Sequence, residues 1–381
     1  MNKQYLTRVY ILGFLFSFHL ALTAYVNSTF LSTLISEKYI GLMYAASSLI
    51  TLVVLSSLSS ILAKIGNKKT TIVFLVGNIL SIAAFLFAND LRILTAAFVI
   101  FLTTNTLVFY CFDIFIEHWS VKGSIGRARG LYLTTINLAW VLSPILTGSI
   151  IQAHGYKGMY LLAGILGVSV LILLPFFVNH FKDPAYVKIS LRKAWARLKQ
   201  SPNIMRIVFL NFLLQFFFAL MIVYTPIYLH DYMHFDWKHI GIIFTIMLSP
   251  FVLLGFPLGK IADKTGREKS FLIAGFLITA ITTYYVGVLS STSIILWAIL
   301  LFLTRVGAAT IETMSEIYFF KHVSEKDTDM LSIFRDMTPV AFLIAPLVGS
   351  AVIATGSYSV LFIGLSILMG IGAYASYTLK Q

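Results

Sequence analysis

The chain has 381 residues, of which 59% are hydrophobic and only 11% charged, and its mean hydropathy is +0.89. Average soluble proteins have about a quarter charged residues, so this composition excludes a soluble protein and predicts an integral membrane protein. The single cysteine, Cys111, excludes a disulfide within the chain and a metal site built from several thiolates.

Apolar runs of about 20 residues, the length that crosses a bilayer as an α-helix, recur along the whole chain. The sequence predicts twelve such spans. In chain order they are residues 7–28, 39–62, 71–88, 93–117, 130–152, 159–181, 204–229, 238–261, 270–289, 294–320, 330–354 and 358–378. We therefore expect an all-α membrane protein with twelve transmembrane helices.

The two halves of the chain repeat one another in outline. The repeated positions include Ile40, Gly41, Gly66 and Lys69, which recur as Ile240, Gly241, Gly266 and Lys269. Six spans per half is an even number, so both halves enter the membrane in the same direction, as parallel repeats do. The expected organisation is an N-terminal six-helix bundle at residues 1–181, a cytoplasmic linker at 182–203 and a C-terminal bundle at 204–381.

Basic residues are distributed unevenly on the two sides of the predicted spans. If the N-terminus is cytoplasmic, all but five of the 28 Lys and Arg residues lie on the inner side. The exceptions are Lys38, Arg92, Lys157, Lys238 and the intramembrane Arg305. This asymmetry follows the positive-inside rule, so the net charge of +13 reports topology and not nucleic-acid binding.

The linker has the pattern of a helix that lies on a membrane surface. Val187, Leu191, Trp195 and Leu198 share helical spacing, with basic residues between them. Such basic amphipathic helices bind the anionic inner leaflet. A regulatory or partner-binding role is the alternative.

A motif between the second and third spans of the C-terminal half resembles that of a known family. Residues 259–269 read Gly-Lys-Ile-Ala-Asp-Lys-Thr-Gly-Arg-Glu-Lys. This is similar to the loop signature G-x-x-x-D-(K/R)-x-G-R-(K/R)-(K/R) of the major facilitator superfamily, with Glu268 as the one departure. The span count, the duplication and the central linker match that family along the chain. The resemblance implies its fold and a transport function, without indicating a substrate.

The N-terminal copy of this loop is degenerate. Ser59, Ala63 and Asn67 stand where the second copy has Gly259, Asp263 and Arg267. Drug-exporting members of the superfamily usually keep the N-terminal copy strong, so this departure disfavours drug export.

An inner gate needs charges that pair and separate, together with glycines that permit tight turns. Asp263 near a helix N-terminus suits the helix dipole, and Glu117 with Arg129-Gly130 resembles a Glu…Arg-Gly element that many members carry at the inner end of span four. The alternative is that the basic residues only set the topology. The candidate cytoplasmic gate consists of Glu117, Arg129, Gly259, Asp263, Gly266, Arg267, Glu316 and Arg335.

Charged residues also occur within the tenth and fourth spans. Arg305, Glu312 and Glu316 share one helical face, and Thr106, Asp113 and Glu117 repeat their spacing. Each buried charge costs about 2.5–3.5 kcal/mol, so these side chains must face water, one another or a ligand. Asp113 and Glu312 are candidates for proton coupling, since a neighbouring like charge raises the proton affinity of a carboxylate. Arg305 is a candidate for binding an anionic group, or for pairing with Glu312.

Salt bridges are the alternative role of the inner carboxylates. Glu117 and Glu316 lie near the cytoplasmic ends of their spans, within reach of Arg129, Lys321 or Arg335 in the predicted topology.

Uncharged polar residues in predicted spans are further candidates. In the superfamily, spans one, four, seven and ten line the cavity, which favours His19, Asn105, Asn211 and Gln215 as a proton carrier and as hydrogen-bonding partners of a solute. The alternative is that they join helices by hydrogen bonds.

The leading interpretation is a secondary transporter that moves a small polar or anionic organic solute by alternating access, coupled to protons. A proton-driven exporter of amphiphilic compounds and a non-transporting membrane sensor are the alternatives. The sequence has no G-x-S-x-G, P-loop, H-E-x-x-H or Rossmann pattern, so we expect neither an enzyme nor a cofactor or metal. The expected partners are a small-molecule solute, protons and membrane lipid. We expect a monomer in a bacterial inner membrane with both termini cytoplasmic.

Overall fold

The computed structural model describes residues 2–119, 125–186, 191–323 and 328–379. Within these ranges, it describes all side chains except those of residues 2–3, 125–130, 191–194, 256, 263 and 328–329. The regular secondary structure of the described residues is helical throughout, without a strand.

Six helices lie in the first half of the chain. They are α1 (Asn2–Ala24), α2 (Asn27–Ser32), α3 (Ile40–Ile65), α4 (Asn67–Phe87), α5 (Leu91–Trp119) and α6 (Ile125–Phe177). A 3-10 turn at Glu37–Tyr39 precedes α3. The predicted first span, 7–28, crosses the turn at Tyr25 and Val26 that separates α1 from α2.

The long helix α6 contains the predicted fifth and sixth spans. Its apolar part, Leu131–Phe177, has 47 residues and would be about 70 Å long as one helix, more than twice the hydrocarbon thickness of about 30 Å. Gly155 interrupts it with φ 66° and ψ −171°, a backbone region open essentially to glycine alone. This break falls between the predicted spans 130–152 and 159–181, so α6 comprises two crossings.

Eight further helices follow in the second half. They are α7 (Leu191–Gln200), α8 (Pro202–Ile227), α9 (Trp237–Leu253), α10 (Gly255–Thr265), α11 (Glu268–Val288), α12 (Ile294–His322), α13 (Thr328–Thr355) and α14 (Tyr358–Tyr377). Together, α9 and α10 form one apolar span. The described residues contain eleven segments long and apolar enough to cross a membrane, and the two parts of α6 raise this to the predicted twelve.

The predicted surface helix corresponds to α7. Leu198 is buried and Trp195 is 47% exposed, while Val187 and the side chain of Leu191 lie outside the described part. The exposed indole fits the predicted contact with lipid, because aromatic rings favour the membrane interface.

The chain divides into two compact units. Unit 1 contains Met1–Leu34 and Ala46–Lys188, and unit 2 contains Ile35–Ala45 and Ile189–Gln381. Aromatic residues of α1 and α5, such as Phe16, Phe112 and Phe115, fill the core of unit 1. Residues 35–45, which belong to the N-terminal half of the sequence, pack with unit 2. The bundle boundaries at 181 and 204 stay a prediction.

Candidate functional site

A buried cation lies at membrane depth in unit 2. Arg305, in the interior of α12, is only 1% exposed. Its guanidinium carbon is 5.3 Å from the ring centroids of both Phe217 and Phe218 on α8. Cation–π attraction of this kind offsets part of the cost of removing a cation from water. The fold therefore holds a positive charge inside a membrane-spanning helix, with two aromatic rings beside it.

The two carboxylates of α12 follow Arg305 on the same face of the helix. Glu312 is half-buried and Glu316 is exposed. The charges of Arg305 and Glu316 both act on Glu312. Because opposite charges attract and like charges repel, the protonation of Glu312 and the charge balance around Arg305 are linked.

The predicted polar residues of α8 contact one another and a neighbouring helix. The Asn211 side-chain amide donates a hydrogen bond to the carbonyl oxygen of Phe334 on α13 at 2.8 Å. The Gln215 amide donates to the Asn211 Oδ1 at 3.4 Å. Asn211 therefore joins two helices, while Gln215 is half-buried and keeps its carbonyl oxygen for other contacts.

Two predicted residues of unit 1 belong to one buried polar cluster. His19 on α1 is fully buried, and its Nδ1 lies 2.7 Å from the carbonyl oxygen of Ala163 on α6. The Asn105 Oδ1 on α5 accepts a hydrogen bond from the Asn78 amide on α4 at 2.8 Å. Sequence reasoning missed Asn78, although an asparagine within a predicted span is the same signal that identified Asn105.

The acidic residues of α5 differ in their surroundings. Asp113 is half-buried, and its charge acts on the Tyr132 hydroxyl of α6. Glu117, one turn further on, is exposed. The side chain of Arg129, its predicted neighbour, lies outside the described part of the chain.

The predicted gate loop of the C-terminal half ends α10. Gly266 takes the left-handed conformation, with φ 57° and ψ 26°, and its N–H donates to the Ala262 carbonyl at 2.9 Å. Gly259 lies within α10, Arg267 is exposed and Arg335 on α13 is half-buried. The prediction that Asp263 lies near a helix N-terminus is wrong, because the residue is in the last turn of α10, where the helix dipole does not favour a negative charge. Its side chain lies outside the described residues.

An ion pair beside this loop involves the one residue that departs from the family signature. Glu268, at the start of α11, is 7% exposed and pairs with Lys321 in the last turn of α12. Lys321 was expected as a possible partner of Glu316. The departure from the signature was the signal for Glu268, but a sequence pattern does not show which lysine lies opposite.

A short segment of the N-terminal half makes a second contact that the sequence did not reveal. We call residues Ile35–Ala45 the strap, because they pack in unit 2. The Glu37 carboxylate accepts a hydrogen bond from the Tyr358 hydroxyl at 2.7 Å and a longer one from Tyr232 at 3.4 Å. The Gly41 N–H donates to the Ser350 Oγ at 2.9 Å, and a side chain at Gly41 would overlap the Pro346 carbonyl.

The sequence matches the family model of the Major Facilitator Superfamily over residues 9–247 and again over 238–380. The chain therefore belongs to the major facilitator superfamily. It is an integral multi-pass membrane protein of a family whose members transport small molecules. No curated protein matches the sequence significantly.

Solved transporter structures share this fold along their whole length. A POT family peptide transporter in an auto-inhibited form has a TM-score of 0.81 at 11% identity, covering 98% of this chain and 96% of its own. The nucleoside transporter NupG has a TM-score of 0.75 at 14% identity, covering 98% of both chains. The human organic anion transporter MFSD10 (TETRAN) has a TM-score of 0.69 at 13% identity, covering 98% and 99%. These likenesses establish the fold.

Proposed function

We propose that this protein is a secondary active transporter that moves a small polar or anionic organic solute by alternating access, coupled to protons. The buried Arg305 beside two phenylalanine rings carries the proposal. A guanidinium group binds carboxylates and phosphates through paired, charge-assisted hydrogen bonds. A cation kept at membrane depth despite its desolvation cost is by default a candidate for function.

Proton coupling is proposed to act through competition for Arg305. While Glu312 is ionised, its charge and that of an anionic solute compete for the same cation. Protonation of Glu312 removes this competition, so proton and solute bind together. Gln215 and Asn211 supply hydrogen bonds to the solute in this proposal, and His19, Asn105 and Asp113 belong to the proton or solute pathway.

Alternating access requires an inner gate, and we assign it to the residues of the two basic loops and the adjacent helix ends. They are Glu117, Arg129, Gly259, Asp263, Gly266, Arg267, Glu316 and Arg335. The strap supports a two-state cycle, because α3 begins in unit 2 and continues in unit 1 from Ala46 onward. A rearrangement of α3 would therefore act directly on the contact between Glu37 and Tyr358.

The proposed setting is a bacterial inner membrane, with both termini cytoplasmic, a monomeric transporter, and α7 on the anionic inner leaflet. The distribution of basic residues supports this orientation, and the exposed Trp195 of α7 supports contact with lipid.

The first test is a thermal-unfolding screen of the detergent-purified protein with benzoate, dialanine, uridine and tetraphenylphosphonium. A ligand present at 100 times its Kd stabilises the folded state by about 2.7 kcal/mol. We expect benzoate or dialanine, which carry a carboxylate, to stabilise the wild type. The Arg305→Gln variant should lose that shift, whereas Arg206→Gln, which removes a cation bonded to Asn203, should keep it.

Three outcomes of this screen decide against the anionic-solute proposal. Stabilisation by uridine alone would indicate a neutral solute, and stabilisation by tetraphenylphosphonium alone would favour the exporter of amphiphilic compounds. An unchanged benzoate or dialanine shift in folded Arg305→Gln would remove Arg305 from the binding site.

Proton coupling has its own test in proteoliposomes. Uptake of the carboxylate probe found in the screen should rise with an inward proton gradient, and Glu312→Gln should abolish that dependence while binding persists. Asp90→Asn is the control, because Asp90 is an exposed carboxylate that belongs neither to the proposed site nor to the gate. A gradient dependence that survives in Glu312→Gln means that the proton travels elsewhere.

The strap can be followed without any known solute. In a Cys111→Ser background, a cysteine replacing the buried Ile40 (0% exposed) should react slowly with a membrane-impermeant maleimide, and Tyr358→Phe should accelerate the reaction severalfold. A cysteine replacing Tyr39, which is 50% exposed, is the always-accessible control. Equal rates of maleimide labelling in the presence and absence of the Tyr358 hydroxyl would show that the strap does not respond to this contact. That result would favour the alternative function, a non-transporting membrane sensor.

A further inference from the structure

A groove runs between α4 and α5 on the outside of unit 1. It has a volume of about 460 Å³, and small residues form much of its lining, at Gly77, Ser81 and Ala84 of α4 and at Ala96 and Ala97 of α5. The Ser81 hydroxyl, the one hydroxyl in this lining, donates to the Gly77 carbonyl of its own helix at 2.9 Å. The groove is therefore apolar along the small residues.

The larger residues of the lining are exposed and apolar. Leu80 of α4 is 64% exposed, and Ile93 and Ile100 of α5 are 52% and 47% exposed. Both helices are long and apolar enough to cross a membrane. Because exposure of this much apolar surface to water is unfavourable, we expect these side chains to face lipid.

The groove has the length and direction of an acyl chain in one leaflet. Helix α4 ends at Phe87 and α5 begins at Leu91, so these helix ends lie at the same membrane surface. Along α5 the lining extends from Arg92 to Ile100, which is about 12 Å at 1.5 Å per residue. One leaflet contributes about 15 Å to the hydrocarbon thickness. The groove therefore extends from the membrane surface almost to the middle of the bilayer.

The one charged residue of the lining lies at the surface end of the groove. Arg92 is exposed, in the first turn of α5. The nearby Asp90 carboxylate accepts a hydrogen bond from the Arg92 backbone N–H at 2.7 Å, so this contact does not involve the guanidinium group. A guanidinium group binds phosphate through paired, charge-assisted hydrogen bonds.

The corresponding helices of the second half have neither feature. Large side chains occupy the positions of α11 that repeat the small residues of α4, when Gly66 and Gly266 are taken as equivalent. They are Leu277, Ile281 and Tyr284, which are 46%, 56% and 46% exposed. No lysine or arginine occurs between Val288 and Arg305, where α12 begins. The groove and its cation are thus particular to unit 1 and are not required by the repeated fold.

We propose that this groove binds a membrane phospholipid, with an acyl chain along the small residues and the phosphate on Arg92. A phospholipid in a bilayer has its negative phosphate at the surface and its acyl chains directed inward. The groove presents a cation and an apolar surface in the same order and at matching depths. This site does not depend on the proposed transport chemistry of α12.

Photo-crosslinking of the detergent-purified protein tests the site. The probe is phosphatidylglycerol with a trifluoromethylphenyl diazirine in one acyl chain, added at a low molar ratio. We expect residues 77–100 to be labelled at least severalfold more than residues 277–288 of α11, which also expose large apolar side chains. A diacylglycerol with the same photoactivatable chain lacks the phosphate and should label the two regions equally.

Two substitutions separate phosphate binding from acyl-chain binding. Arg92→Gln removes the partner of the phosphate, and Ala96→Phe fills the groove from an exposed position. Each should reduce phosphatidylglycerol labelling of residues 77–100 at least severalfold. Lys157→Gln, which removes another exposed cation of unit 1, and Ala274→Phe, at an exposed alanine of α11, are the matched controls and should retain the labelling.

Three results would overturn the proposal. The first is equal labelling of the two regions of the wild type by the phosphatidylglycerol probe. The second is undiminished labelling in Arg92→Gln or Ala96→Phe that elutes as folded protein in gel filtration. The third is a wild-type dimer in sedimentation that Ala96→Phe converts to a monomer while lipid labelling persists, because the groove would then bind a second copy of the chain.

Discussion

The two copies of the repeated loop both turn at a glycine with positive φ, but their backbone conformations and their chemistry differ. In the first copy, Gly66 precedes α4 with φ 80°, and in the second, Gly266 ends α10 with φ 57°. Both glycines therefore occupy the positive-φ half of conformational space, which other residues rarely adopt. The repeat has kept a positive-φ glycine between the second and third spans, whereas the groups that contact the start of the following helix differ.

In the first copy, the start of α4 obtains a carboxylate from a distant part of the chain. The Asn67 N–H donates to the Asp183 Oδ1 at 2.6 Å, and the Asn67 side chain donates to the Cys111 carbonyl of α5 at 2.9 Å. The Tyr186 hydroxyl donates to the same Asp183 oxygen at 2.5 Å. Burial and the neighbouring Asp183 raise the pKa of the Tyr186 phenol, so it remains a donor at neutral pH.

In the second copy, the carboxylate belongs to the helix itself. Glu268 is the first residue of α11, where a negative charge suits the helix dipole, and it pairs with Lys321 of α12. The equivalent residue of the first copy is Lys68, whose ammonium group donates to the Pro175 carbonyl at 3.2 Å. Each copy thus has a carboxylate at the start of its third span and a contact from that helix start to the fourth span, but different residues supply them.

The largest expected difference between the copies concerns their glycines. Gly66 has φ 80° and ψ 158°, a region essentially restricted to glycine, and an added Cβ would lie 2.5 Å from the Asp183 Oδ2. Backbone strain and displacement of the cap together should make Gly66→Ala lose about 2–4 kcal/mol of unfolding free energy. Gly266→Ala should lose about 1 kcal/mol, because its conformation is ordinary left-handed helix and no described heavy atom lies within 4 Å of the added carbon.

Unfolding by SDS in mixed micelles measures both losses. Gly364→Ala on α14 is the control, since Gly364 is helical and an added carbon there meets no described atom within 4 Å. Equal losses at Gly66 and Gly266 would contradict the distinction between the copies.

The next largest loss of unfolding free energy is expected from substitution of Asp183, the carboxylate that accepts from the start of α4. Asp183→Ala should lower the unfolding free energy by about 1–2 kcal/mol, the usual range for a lost N-terminal cap. Asp183→Asn, which keeps an acceptor oxygen, should lose less than half of that. The neighbouring Lys182→Ala is the control in the same unfolding assay. A loss in Asp183→Asn as large as in Asp183→Ala would show that the charge, and not the hydrogen bond to Asn67, stabilises the turn.

The smallest contribution to the unfolding free energy is expected from the ion pair of the second copy, Glu268 with Lys321. The Lys321 side chain is 42% exposed, so solvent screens the pair and we expect a coupling of about 0.5–1 kcal/mol. A double-mutant cycle of Glu268→Gln and Lys321→Gln isolates this coupling, and it should decrease in high salt. A coupling near zero at low salt would mean that Glu268 acts through the helix dipole alone.

Much of this architecture could be predicted from the sequence, because membrane-spanning helices are specified by local apolar length. The spans, the break between the two parts of α6 and the positive-φ glycines of the loops all have signals within about 20 residues of the chain. The shared helical face of Arg305, Glu312 and Glu316 also follows from their spacing.

The candidate site was less predictable, because its contacts join residues far apart in the chain. His19 and Asn105 were predicted separately, but their common partner Asn78 was not. The sequence shows Phe217 and Phe218 as adjacent aromatic residues, but it does not show that they contact Arg305 of α12.

The amino-acid sequence was thus sufficient to predict the class of protein, the number and position of its membrane helices and the charged residues within them. Apolar length and glycine spacing are local quantities, and a bilayer converts them directly into membrane-spanning helices. The packing of the helices was needed to show that Asp183 caps α4, that Lys321 pairs with Glu268 and that the strap binds Tyr358. These choices depend on which side chains meet when the helices pack, and many packings satisfy the same pattern of apolar and polar residues.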